Sequence, residues 1–506
     1  MAERILKLPF MVLLMGIASL LMFPVAIVGT FMDESHTARV FFYGGVLFLI
    51  LTILIAIAME HNENRSVLRS HLLTLAGAWI LLPLMLAVPF YEALRNTSFA
   101  NAYFEMLSAF TTTGATLFDD PERLPMALHF WRSLVGWMGG FFVWVIAIAI
   151  LAPLNLGGFE VTARSRLSQT GNYFNWIGRE ASPAKRLSHH AGKLAPVYGG
   201  ITAALGVFLY ISGENGFVAM CHAMAVLSTS GISPVGGLSG ADSGFIGETL
   251  IFIFLFFAIS RLTFAPETQK DSLIRLARDP EFRMGIALVI SVPTLLFLRH
   301  WWGALEFDDQ ENLPRAINAL WGAAFTVLSF LTTTGFESQA WSEARGWSGL
   351  ATPGLILMGL AMVGGGVATT AGGVKLLRVY ALYKHGTQEM ETLIHPSIVS
   401  GVGENTRHLG RQGAYMAWIF FMLMAVSIAL ISLGLSLTGL DFETSVVFAV
   451  SALSTTGPLA SVAMTQPLSW AELSGMGQLI SAIAMILGRM ETLAVIALLN
   501  PDFWRR

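Results

Sequence analysis

Long apolar stretches, each closed by a short polar one, run the length of the chain. Ten are long enough to cross a bilayer as helices, which takes about 20 apolar residues. They lie near 8–31, 38–58, 70–91, 127–153, 191–212, 244–265, 284–301, 349–380, 411–438 and 472–499. After the first two, the rest fall into four pairs. Inside each pair sits a shorter apolar run, ending at Phe110, Leu227, Leu331 or Leu453. These runs are too short to span, which predicts half-helices that enter the membrane and stop.

Each short run is followed by the same kind of polar loop: TTTGAT at 111–116, STSGIS at 228–233, TTTGFE at 332–337 and STTGPL at 454–459. Six residues before Gly114, Gly231, Gly335 and Gly457 stand Ser108, Ala225, Ser329 and Ser451, all small. The repeating unit is therefore helix, half-helix, polar loop, helix, with a period far longer than that of solenoid repeats. The pattern predicts an all-α polytopic membrane protein. Four pseudo-symmetric helix–pore-loop–helix modules surround a central pore, and two extra spans precede them. The expected boundaries are 1–66 for the two N-terminal spans, then 67–160, 187–266, 282–385 and 407–506 for the modules.

Composition agrees. The 506 residues are 54% hydrophobic and 12% charged, with mean hydropathy +0.64, whereas a soluble domain carries roughly 25% charged residues. The N-terminal stretch has a basic start like a signal peptide, but its apolar run is long and another follows at once, so an uncleaved first span is expected. The one cysteine, Cys221, excludes an intrachain disulfide and a cysteine-rich metal site and is expected to be a packing residue. With the N-terminus inside, 21 of the 30 Lys and Arg fall in inner segments and six in outer ones. This positive-inside bias puts both termini in the cytoplasm and opens all four polar loops outward. The outer segments hold Asp119, Asp120, Glu122, Glu306, Asp308, Asp309 and Glu311. They either enrich cations locally or simply solubilise the loops. The net charge of −3 gives no footprint for nucleic acid.

Non-helical backbone at membrane depth must be buried in protein or line a wet cavity. Four copies of one loop suggest a ring. Glycine lets backbone carbonyls approach a common axis, and a carbonyl ring replaces the hydration shell of a monovalent cation. The negative C-terminal ends of the half-helices add attraction. The candidate ion-binding residues are Thr112, Thr113 and Gly114; Thr229, Ser230 and Gly231; Thr333, Thr334 and Gly335; and Thr455, Thr456 and Gly457. Their hydroxyls are expected to brace the loops or to contribute ligands. Small-residue helix packing accounts for one copy but not for fixed offsets in four.

The chain resembles the TrkH/KtrB family of potassium-uptake proteins, and TrkH more closely because of the two extra N-terminal spans. The resemblance covers nearly the whole length and includes HFWRSLVGWMGG at 129–140, GGGVATTAGGVK at 364–375 and LGRMETLAVIALLNPDFWRR at 487–506. It implies a potassium filter with one glycine per loop. Relatives with serine at the first glycine position tend to favour sodium, so Gly114 points to potassium. STTGPL departs from the family pattern in lacking a second glycine after its proline, and STSGIS in the serine before its glycine.

GGGVATTAGGVK lies within the eighth span. It is not a phosphate-binding loop, since it lacks Gly-Lys-Ser/Thr and a preceding strand. Five glycines in ten residues disfavour a continuous helix, so the span is expected to break there, either as a kink or, as the resemblance implies, as a gate loop beneath the filter. Its candidate residues are Gly364, Gly365, Gly366, Thr369, Thr370, Gly372, Gly373 and Lys375. The two threonine hydroxyls are expected to meet water or a passing ion, and Lys375 to stand at the inner side.

Arg489 lies in the last span, where a charge needs water, a partner or a route to the interface. Glu491 is on a different helix face. The resemblance implies a pore-facing arginine below the filter. Arg132 and Arg261 are nearer span ends and are expected to be interfacial anchors. Paired His189 and His190 in a basic loop are expected to be solvated. No H-E-x-x-H or G-x-S-x-G motif occurs, so a membrane enzyme is the remote alternative.

The resemblance further implies a homodimer in the bacterial cytoplasmic membrane, in contact with lipid. It implies a cytosolic TrkA-type nucleotide-binding partner, for which basic segments 155–193 and 267–283 offer docking sites. No cofactor is expected in the chain, only potassium as cargo. Coupling of flux to protons or sodium stays open, although no buried carboxylate relay is evident.

Overall fold

The computed structural model describes residues 10–59, 67–151, 158, 183–260, 272–304, 313–350, 352–395 and 411–490. Regular structure among them is helical. In chain order the helices are α1 (Phe10–Phe31), α2 (Ser35–Met59), α3 (Val67–Leu94), α4 (Phe99–Phe110), α5 (Met126–Ile146), α6 (Pro183–Ile211), α7 (Gly216–Ser228), α8 (Gly244–Leu255), α9 (Ser272–Arg278), α10 (Pro280–Ala304), α11 (Leu313–Leu331), α12 (Trp341–Ser348), α13 (Gly354–Val363), α14 (Leu376–Ile394), α15 (Arg411–Ser436), α16 (Phe442–Leu453), α17 (Leu459–Val462) and α18 (Gly475–Met490).

Among the described residues, seven helices are long and apolar enough to span a membrane; three more of the expected spans are shorter. The sixth is helical over Gly244–Ala258, and residues 261–265 lie outside the described residues. The eighth breaks, as its glycines require, with α13 ending at Val363 and α14 starting at Leu376. The tenth is helical over Gly475–Met490, and its remainder, with Glu491, lies outside the described residues, as does Arg261.

The short helices α4, α7 and α16 end at Phe110, Ser228 and Leu453, within one residue of expectation. The third, α11, ends at Leu331 as expected but is 19 residues long. Its first turns carry Pro314, Arg315 and Asn318, so its added length is polar rather than spanning.

Burial separates the centre from the rim. The most apolar window of α5 is 78% buried and that of α2 only 17%. Central α5 packs on α4, where Phe110, Phe142 and Trp79 form an aromatic cluster. On α2, Phe42, Leu47, Leu54 and Ile57 point outward; in a chain with this many spans that surface meets lipid. The α1–α2 pair is tied to the centre through Glu34. Its two carboxylate oxygens accept the amides of Met126 (2.7 Å) and Ala127 (3.2 Å) at the start of α5. A carboxylate there satisfies free amides and suits the positive end of the helix. Cys221 is buried in the core around α4 and α5, a packing residue as expected.

Candidate functional site

The four loops fold into one turn repeated four times. The second residue of each is a threonine with left-handed backbone: Thr112 (φ 54°), Thr229 (φ 52°), Thr333 (φ 58°) and Thr455 (φ 56°). A β-branched residue strongly resists this region, and strain of this kind persists only where the surroundings over-determine it. The cause is local. The third residue's amide reaches back to a carbonyl in the last turn of the helix: Thr113 to Ser108 (2.8 Å), Ser230 to Ala225 (2.9 Å), Thr334 to Ser329 (2.9 Å) and Thr456 to Ser451 (2.9 Å). The acceptor is in each copy the small residue six positions before the glycine. The first and third hydroxyls pair in every copy: Thr111 with Thr113 (2.8 Å), Ser228 with Ser230 (3.0 Å), Thr332 with Thr334 (3.1 Å) and Ser454 with Thr456 (3.2 Å). These hydroxyls act as braces.

The glycines set the order of the ring. A methyl group on Gly114 would collide with the Ser230 carbonyl, and one on Gly231 with the Thr334 carbonyl. One on Gly335 would lie 3.0 Å from the Pro458 ring, and one on Gly457 would strike the backbone of Ala115. Each glycine thus admits the next loop, and the fourth closes on the first.

The ring is not uniform. Gly114, Gly231 and Gly335 have φ of 73°, 64° and 83°, but Gly457 is not left-handed. Its amide donates to the Thr113 carbonyl (2.6 Å), and its carbonyl accepts from the Trp470 indole (3.1 Å). Pro458 then leads directly into α17. The copy whose sequence departs after the glycine is the one whose backbone departs.

Residues 364–375 lie against the third and fourth loops and the end of the second half-helix, and a side chain links them to the first loop. The Thr370 hydroxyl donates to the Leu227 carbonyl (3.1 Å), and the Gly372 amide donates to the Thr333 hydroxyl (2.7 Å). Gly372 has no room for a side chain because the Ser454 carbonyl abuts it. The link to the first loop is Arg489. Its guanidinium donates to the Thr111 carbonyl, the Thr112 hydroxyl and the Thr370 carbonyl (2.7 Å). It is 8% exposed, so it does not snorkel. The loop is closed on itself by Val374 N to Met362 O, Lys375 N to Val363 O and Leu376 N to Gly365 O, at 2.9–3.0 Å.

Two expectations, for the loop threonines and for Arg132, need correction. The Thr369 hydroxyl donates to the Gly366 carbonyl (2.7 Å), so both threonine hydroxyls are spent inside protein rather than turned to water or an ion. Lys375 is buried, and its ammonium folds back onto the Ala371 carbonyl. Arg132 is no interfacial anchor. It faces α4 from the second turn of α5 and forms a 2.6 Å ion pair with Glu105, both side chains being buried.

Glu105 belongs to a set of residues that composition did not single out. Nine positions before each glycine stand Glu105, His222, Thr326 and Phe448. Glu105 accepts the Leu117 amide (3.1 Å), Thr326 the Ser338 amide (3.3 Å), and His222 pairs with the Ser233 hydroxyl (2.9 Å). Each ties a helix to the segment rising from its own loop. The fixed offset was the available signal. Glu248 of α8 adds a second brace behind the third loop, accepting from Trp321 (2.9 Å), Ser338 (2.8 Å) and Gln339 (2.5 Å). Two residues beyond Gly335, the half-exposed Glu337 has its carboxyl pushed up by burial, which Arg345 partly offsets. No group of three or more metal-ligating side chains occurs among the described residues.

A ring of four strained turns behind four helix ends, crossed beneath by a broken span, defines a polytopic membrane protein with a buried polar centre. The chain belongs to the TrkH family of cation transport proteins, whose family model matches residues 37–237 and 246–504. It is 30% identical over 449 residues to the Trk system potassium uptake protein TrkH of Salmonella typhimurium and 29% identical to that of Escherichia coli K12, with 88% of each chain covered. It is 27% identical over 503 residues to TrkG of E. coli K12, covering 97% of both chains. The crystal structure of the potassium transporter TrkH from Vibrio parahaemolyticus shares its fold, with TM-score 0.82, 24% identity and full coverage of both chains.

Proposed function

We propose that this protein carries potassium inward across the bacterial cytoplasmic membrane through the four-loop ring, and that residues 364–375 close the path beneath it. The observation that carries this reading is that one intramembrane loop meets the third and fourth turns and the end of the second half-helix, and is joined to the first turn through Arg489. Carbonyls of the strained turns replace water around the ion, and the negative helix ends favour a cation. Arg489 places a positive charge at the junction of ring and loop, where it disfavours cation occupancy while the loop is closed. The modules 67–160, 187–266, 282–385 and 407–506 each contribute one turn. The names of the relatives, Trk system potassium uptake proteins, support the cargo. The excess of Lys and Arg in segments 155–193 and 267–283 supports a cytosolic regulatory partner of the TrkA type, with the membrane subunit as a homodimer.

The test is a reversal potential in liposomes under independent potassium, sodium and pH gradients. Reversal should follow the potassium gradient alone. A shift with the pH or sodium gradient would establish coupled symport instead, and a reversal indifferent to potassium would refute the assignment.

A further inference from the structure

The intramembrane loop has two limbs. The second, through Thr370 and Gly372, meets the ring. The first, Gly364–Val367, leans away from it toward the start of α10. There the Gly366 amide donates to the Ala258 carbonyl (3.0 Å), and the Val367 amide donates to a Glu281 carboxylate oxygen (2.8 Å). Glu281 is 2% exposed and Val367 fully buried. Glu281 lies in the first turn of α10, where the positive helix end favours a carboxylate. The backbone is tight here, since a side chain on Gly366 would strike the Ile259 carbonyl. The two anchor points are themselves joined, because the Ser260 hydroxyl donates to the Asp279 carboxylate. Residues 258–260 and 279–281 thus form one clasp around the first limb. They are also the two ends of the segment that carries α9 with Arg275 and Arg278.

We infer that Glu281 is the positioning residue that holds the intramembrane loop closed. The inference rests on the reading of 364–375 as the closing element. Glu281 fixes one limb by accepting the Val367 amide, so loss of that acceptor frees the limb.

The test compares basal potassium flux in proteoliposomes for the parent, E281M, E281Q and a deletion within 364–373. Methionine keeps the length of the side chain and removes the oxygen acceptor; glutamine keeps both. Flux should rise several-fold in E281M and in the deletion while E281Q stays near the parent. If the deletion raises flux and E281M does not, the clasp is wrong and the closing loop stands. If both E281M and E281Q raise flux, the carboxylate charge rather than the bond to Val367 is responsible, and the assignment fails. If no variant raises flux, the closing role of the loop is refuted together with the clasp. Should E281M not assemble, hydrogen exchange on the parent decides. A Val367 amide among the slowest of 364–375 supports the clasp, and one exchanging as fast as the amides of exposed residues overturns it.

Discussion

The ring and the loop beneath it are both irregular backbone at the centre of a membrane protein, yet they are held in opposite ways. Each turn of the ring is secured by its own helix, through the same amide, the same hydroxyl pair and the same left-handed threonine. The intramembrane loop, besides closing on itself, is held by distant partners: Leu227, Thr333, Arg489, Ala258 and Glu281. A locally braced element keeps its shape when its neighbours move. An element held by distant partners moves when any of them does. The first suits selection, which needs fixed geometry, and the second suits opening and closing.

The largest expected effect breaks the support of the ring rather than the ring itself. R132M leaves Glu105 buried without its cation, and removing one partner of a buried pair costs about 3–5 kcal/mol. Thermal unfolding in detergent should show a large loss of stability, and E105M/R132M should recover much of it. A double variant no better than the single one would mean that packing, not charge, holds the first turn.

Next come the glycines. Gly114→Ser adds a side chain in the left-handed region, at roughly 1–2 kcal/mol, and drives it into the Ser230 carbonyl. Relative permeability for potassium over sodium should fall about tenfold, as about 1.4 kcal/mol corresponds to that factor. Bi-ionic potentials of the assembled variant give the answer, and an unchanged ratio would remove Gly114 from the ion path.

Arg489→Ala cuts the link between the first turn and Thr370. Because it acts on the junction, flux should rise a few-fold with selectivity nearly intact. A loss of selectivity with no rise in flux would assign Arg489 to the ring alone.

The smallest effect concerns Glu337, two residues beyond the glycine of the third loop. Burial raises its carboxyl, so it is protonated at low pH and becomes a cation-attracting carboxylate as external pH climbs past its raised pKa. Uptake at sub-saturating potassium should therefore increase over that range, and E337Q should flatten the profile. An identical profile in E337Q would show that Glu337 plays no part in recruitment.

The same contrast explains what could be read from the sequence. The turns were legible because they repeat: four copies at fixed offsets marked the glycines, the small residues six positions earlier and the ends of the half-helices. The break in the eighth span was legible because five glycines in ten residues oppose a helix. What a single copy does was not. Thr369, Thr370 and Lys375 bear polar groups that suggest water or ions, but partners supplied by the fold absorb them. Arg132 looked like an anchor because its partner, Glu105, stands 27 positions away on another helix, and nothing local marks the pair. The clasp at Glu281 joins residues 86 positions apart, beyond the reach of any periodicity.

The proposed division of labour between ring and loop is tested most directly by deleting several residues within 364–373 and measuring two quantities on the same reconstituted sample: basal potassium flux and the potassium-to-sodium permeability ratio. Flux should rise well above that of the parent while the ratio stays the same, if the loop closes the path and the ring chooses the ion as proposed. Parent-like flux, or a rise accompanied by a collapsed ratio, would contradict the account.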